Sequence, residues 1–183
     1  MTYEVALSKA WSDLENLTEN KNIQVRFLSD EYSVDVKNKR ILSLACNVSA
    51  KAHVSILILH YLRQKFRGLP QVSSEWISFK QLEGGEGYYS AFSKRVISPI
   101  LRKYGSNPEP LLELIEHSKA KRAQIGDYSL VLDAFDDVPL LITLWKADDD
   151  FGPEANVLFD KSIKDIFCTE DIVILAEFVA HNI

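Results

Sequence analysis

The residues of this chain with the densest chemistry are carboxylates. Asp148, Asp149 and Asp150 follow one another in LITLWKADDDFGPEANVLFD, residues 141–160, with Glu154 and Asp160 downstream. Oxygen donors at that density suit a hard cation such as magnesium, calcium or manganese. A metal-dependent enzyme with Asp148, Asp150, Glu154 and Asp160 as ligands is therefore one reading of the stretch. The spacing is not that of a dedicated calcium loop, which needs alternating oxygen ligands and an internal turn glycine. In extended backbone neighbouring side chains point opposite ways, so of the three aspartates only Asp148 and Asp150 share a direction. A solvated loop between two paired strands accounts for the same residues, because a run of charge holds in water the point where an apolar strand leaves the core.

The second candidate is WISFKQLEGGEGYYSAFSKR, residues 76–95, read as a strand, a glycine-rich turn and a helix. The first turn of a helix leaves backbone N–H groups unpaired and carries partial positive charge, so such a turn can face an anion. Lys94 and Arg95 add charge a turn or more further in, and Tyr88 and Tyr89 add flat apolar surface. The candidate ligand-contacting set is Trp76, Gly84, Gly85, Tyr88, Tyr89 and Arg95. The glycines match neither the phosphate-loop spacing nor G-x-G-x-x-G, and Glu83 and Glu86 oppose a phosphate. A tight structural turn explains the glycines equally well.

The remaining reactive side chains form no familiar constellation. His53 and His60 are seven residues apart on one expected helix, roughly 10 Å along its axis, too far to share an ion. His117 and His181 fall near helix ends, where a partly cationic ring is favourable. The two cysteines, Cys46 and Cys168, cannot hold a cluster or a structural zinc by themselves, and two buried thiols are expected. No serine sits in a G-x-S-x-G turn. No catalytic residues and no cofactor are assigned.

The patterning predicts which elements carry these residues. Val5, Ala6, Trp11, Leu14 and Leu17 predict a helix over 3–18. Alternation in NIQVRFL and EYSVDVK predicts a hairpin, with ILSLA continuing the meander after a turn at NKR. Residues 50–66 read as a mostly buried helix begun at Ser49 and stopped by Gly68 and Pro70. EWISFKQL reads as a strand. Tyr88, Phe92, Val96, Ile100 and Tyr104 recur at every fourth position of one helix, with a kink at Pro99 and an end at Gly105. Asn107 and Pro108 open another helix. DYSLVLDAF, VPLLITLWK and ANVLF are three strands, the second apolar on both faces and so central. TEDIVILAEFVAHN closes the chain as a helix capped by Thr169.

Strands grouped rather than alternating with helices predict an α+β fold, with a largely antiparallel sheet of about six or seven strands packed with about five helices. The chain has 183 residues, 46% of them hydrophobic, with only 7 Gly and 6 Pro, which predicts a single globular domain over 1–183. A net charge of −5 without a cationic block argues against nucleic acid. The basic stretch HSKAKR, 117–122, reads as a solvated helix end. The longest apolar run, VILAEFVA, is broken by Glu177 and is too short to span a membrane. No signal-like beginning is visible, so a cytoplasmic location is expected.

The succession HVSILILHYL, WISFKQLEGGEGYYSAFSKRVISPI, GDYSLVLDAFDDVPLLITLWKADDDFGPEANVLFD and TEDIVIL resembles an uncharacterised domain-of-unknown-function family of anaerobic bacteria and archaea. Some members of that family carry an amino-terminal iron–sulfur module like that of corrinoid iron–sulfur proteins. This chain has no cysteine quartet at its start. The resemblance therefore implies the part that recognises a partner or ligand, with an iron–sulfur or corrinoid protein as partner and a link to corrinoid or one-carbon metabolism. Together with the missing catalytic constellation, it favours a non-catalytic binding or accessory protein, with its surface near Trp76 and the loops 84–89 and 148–154.

Overall fold

A computed structural model describes residues 3–117 and 120–183. The chain divides into two compact units, Met1–Pro70 and Gln71–Ile183, and is α+β in both.

In the first unit α1 (Tyr3–Glu15) is followed by a three-stranded antiparallel sheet of β1 (Asn22–Phe27), β2 (Asp30–Asp35) and β3 (Arg40–Ser43), in that order, and then α2 (Ala52–Arg67). The alternation read from the sequence sets the register, with Ile23 opposite Val34 and Val34 opposite Ile41. Val25, Phe27, Val34 and Ile41 are buried together on the unit's apolar side. β3 continues the meander, as ILSLA predicts, and the chain then folds back on it: the Ser43 N–H donates to Val48 O and the Ala50 N–H to Ile41 O. α2 starts at Ala52, with Lys51 rather than Ser49 at its cap. α2 packs on α1, and the Arg63 guanidinium lies 3.3 Å from the Asp13 carboxylate.

The second unit is built on a five-stranded antiparallel sheet in the order β4 (Trp76–Ser78), β8 (Glu154–Asp160), β7 (Val138–Trp145), β6 (Tyr128–Phe135) and β5 (Lys121–Arg122). β7 lies at the centre and is buried from Val138 to Leu144, as its apolar run predicts. β6 and β7 meet at a turn of Asp136 and Asp137, where Asp137 takes φ 61°. β4 is shorter than expected: EWISFKQL leaves the sheet after Ser78 for a 3-10 turn, Phe79–Gln81. The Ser78 and Gln81 side chains cap that turn reciprocally and satisfy backbone donors that a longer strand would have paired.

The apolar stripe from Phe92 to Tyr104 lies on one long helix over β8, made of α3 (Gly85–Phe92), a π turn (Ser93–Ile97) and α4 (Ser98–Tyr104). Phe92, Val96, Ile100 and Tyr104 are buried, and Phe92 meets Phe159 edge-on at 6.3 Å. Irregularity falls where proline predicts it. Pro99 has no N–H for the Arg95 carbonyl, and the Ser98 N–H reaches five residues back to Ser93 O. α5 (Glu109–His117) packs on β6, and α6 (Thr169–Asn182) on the π turn and α4. The side chain of His117 and part of HSKAKR fall outside the described residues. Among the described residues no helix is long and apolar enough to cross a membrane.

Candidate functional site

The glycine-rich turn is a built corner. Gly84 sits at φ 70°, a left-handed conformation that glycine adopts without cost. Gly85 is buried, and a Cβ there would lie 1.9 Å from Phe79 O. The Gly85 N–H donates to Leu82 O, the Tyr88 N–H to Gly84 O, and Thr169 Oγ donates to Glu83 O at 2.8 Å. Donors that an anion would need are thus partly spent inside the turn. Thr169 is the first residue of α6 rather than its cap, a position held by Cys168.

The helix launched from this corner arranges a small aromatic and charged surface. Phe79 stacks on Phe92 at 4.1 Å, and both are buried. Tyr88 stands outside this stack, 46% exposed. Its hydroxyl accepts a bond from Arg95 Nη1 at 3.3 Å. Arg95 Nε donates to Glu177 Oε2 at 3.0 Å, and Nη2 binds the same oxygen. The Glu177 carboxylate holds the guanidinium above the ordinary arginine range, against the opposing pull of partial burial. Half-buried Tyr89 lies under Lys80, whose Nζ is 4.4 Å from the ring centroid. Trp76 is half-buried on edge strand β4, paired in register with Asp160. Of the ligand candidates, Tyr88 and Arg95 are in direct contact, while Gly84 and Gly85 serve the corner. Lys80 and Glu177 join this surface unforeseen. Lys80 lay in an expected strand, and Glu177 is 82 residues from Arg95, a separation no periodicity spans.

The acidic residues do not converge. Asp148 Oδ1 accepts from the N–H groups of Asp150 (3.0 Å) and Phe151 (2.7 Å), and the Asp148 N–H donates to Phe151 O. This closes a hairpin tip above the Trp145–Glu154 pair. Asp160 lies at the other end of β8, about 20 Å from Glu154 along the strand. It is 1% exposed. Its carboxylate accepts from Ser73 N–H and Oγ, Ser74 N–H and Ser162 N–H at 2.7–3.0 Å. Burial alone would push this carboxylate up, but those bonds outweigh it and hold it below the usual range. Among the described residues no group of three His, Cys, Asp or Glu stands where it could hold a metal ion.

The two loops expected to share a surface lie at opposite ends of one helix. The 84–89 corner begins it, and Gly105, just past its end, sits against Pro153 of the acidic tip. From Gly85 to Tyr104 that is about 30 Å of helix, more than one small-ligand site can bridge. The thiols also differ from expectation, Cys46 and Cys168 both being free and exposed. Partial burial, joined by Asp171 and Glu170 nearby, still pushes the Cys168 thiol up to about 11. His181 Nδ1 pairs with Glu177 O at 2.7 Å in its own helix.

No curated protein and no solved structure matches the chain. A family model described as a domain of unknown function, DUF3786, matches residues 11–182. Almost the whole chain, corner, aromatic surface and acidic tip included, thus belongs to the DUF3786 family.

Proposed function

We propose that this chain is a non-catalytic accessory protein of the cytoplasm that binds a partner protein through the surface of Lys80, Tyr88, Tyr89 and Arg95, with Trp76 on the neighbouring edge strand. The observation that carries the reading is Tyr88. It is a large aromatic left 46% exposed, with its hydroxyl tethered to the Arg95–Glu177 pair. A tyrosine and an arginine fixed before binding lose little conformational freedom on contact, and these residue types dominate the energetics of protein interfaces. The corner below them is close-packed, since Gly85 is buried and a Cβ there would overlap the Phe79 carbonyl. Gly84 and Gly85 therefore act by aiming the helix rather than by touching the partner.

The sequence resemblance supplies the class of partner, an iron–sulfur or corrinoid protein of anaerobic one-carbon metabolism. No observation favours the metal-dependent alternative, since Asp160, the buried member of its ligand set, is taken up by Ser73, Ser74 and Ser162. Calorimetric titration with a purified corrinoid iron–sulfur protein tests the proposal. Saturable binding weakened roughly tenfold or more by Tyr88→Ala is expected. Absence of binding removes the partner class, and binding indifferent to Tyr88→Ala removes the surface.

A further inference from the structure

The tip of the β7–β8 hairpin carries a second exposed aromatic that the Tyr88 surface does not use. Phe151 is 70% exposed, the highest exposure of any large hydrophobic side chain among the described residues. It is not a loose end. Asp148 Oδ1 receives the N–H groups of Asp150 and Phe151, Asp148 N–H reaches Phe151 O, and Pro153 packs on Gly105. A phenyl ring held in water at a braced tip gains nothing for folding. It is an anchor suited to an apolar socket, where burying such a ring is favourable.

Charge selects the socket. The tip DDDFGPE holds four carboxylates and no cation, and Asp148, Asp149, Asp150 and Glu154 are all exposed. The nearest lysine in sequence, Lys146, is engaged elsewhere, 3.3 Å from Glu109 and over the Tyr128 ring. An acidic or purely apolar rim would meet like charge or strand carboxylates without water, so only a cationic rim is complementary. A bound metal ion is a poor substitute occupant, because Asp148 is committed to the turn and no described group of three ligands gathers there.

We infer that this tip is a second contact surface, distinct from the Tyr88 face, that seats Phe151 in an apolar pocket of a protein partner ringed by lysine or arginine. Asp149, Asp150 and Glu154 pair with the ring of cations, and Asp148 holds the tip in shape.

Selection of random displayed peptides on the immobilised full chain tests this without knowledge of the natural partner. Enriched peptides are expected to place lysine or arginine around an apolar cluster and to bind more weakly as salt rises. Phe151→Ala should lower their affinity roughly tenfold or more, while Asp149→Asn with Asp150→Asn should lower it severalfold at low salt only. Tyr88→Ala should leave it unchanged. Circular dichroism checks that each variant folds. Peptides that lack basic residues, ignore Phe151→Ala, or fail to enrich at all overturn the inference. Peptides that respond to Tyr88→Ala instead also overturn it while supporting the first surface.

Discussion

Asp160 is a buried anchor for the chain entering β4, gathering Ser73, Ser74 and Ser162 around one carboxylate. Its pKa is held below the usual range, because these bonds outweigh burial. A depressed folded pKa means the contribution is present above the unfolded carboxylate's value, near 4, and is lost as pH falls through the folded one. Asp160→Asn should therefore cost about 2–3 kcal/mol in urea unfolding at neutral pH, with the gap to the parent protein closing below about pH 4. A gap that stays constant into acid would show that the carboxylate's charge contributes nothing. The acidic character of the residue was legible in the sequence, and so was a local donor two residues on at Ser162, but Ser73 and Ser74 stand 87 and 86 positions earlier, and only the β4–β8 pairing brings them near.

The long helix shows the same division at the level of an element. Its buried stripe, Phe92, Val96, Ile100 and Tyr104, follows from spacing alone, and the irregularity before Pro99 follows from a missing backbone donor. The two glycines near its start are distinguishable only in three dimensions. A Cβ at Gly85 would overlap the Phe79 carbonyl, whereas Gly87 faces open space within the helix. Gly85→Ala should then destabilise the protein by about 2–3 kcal/mol. Gly87→Ala should stabilise it by about 0.5–1 kcal/mol, since alanine loses less backbone freedom on folding. Paired denaturation curves decide the point. Equal effects at both positions would mean that the corner is not the rigid support that Tyr88 requires.

For the whole molecule, composition and strand grouping led to an α+β fold, and the structure has that fold. Hydrophobic content and chain length also led to the expectation of one domain, which calorimetry can test against the two compact units. One transition is expected, with calorimetric and van't Hoff enthalpies in agreement. Two resolved transitions, or a van't Hoff enthalpy well below the calorimetric one, would make Met1–Pro70 and Gln71–Ile183 separate domains.

By itself the sequence determined what local physics controls. Period-two alternation placed β1 and β2; an apolar run on both faces placed the central β7; fourfold spacing placed the long helix; Gly, Pro and Asp runs placed the turns. It also singled out Tyr88 as a candidate ligand contact and the acidic tip as a solvated loop, whereas the exposure of Tyr88, first member of the apolar stripe, is seen only in the fold. Tertiary structure alone decided which of them meet. The helix from Gly85 to Tyr104 separates the two loops, and β8 separates Glu154 from Asp160, because a regular element adds a fixed rise with every residue. The Arg95–Glu177 pair arose the other way, from the packing of α6 on the π turn, a contact between segments whose separation leaves no periodic trace.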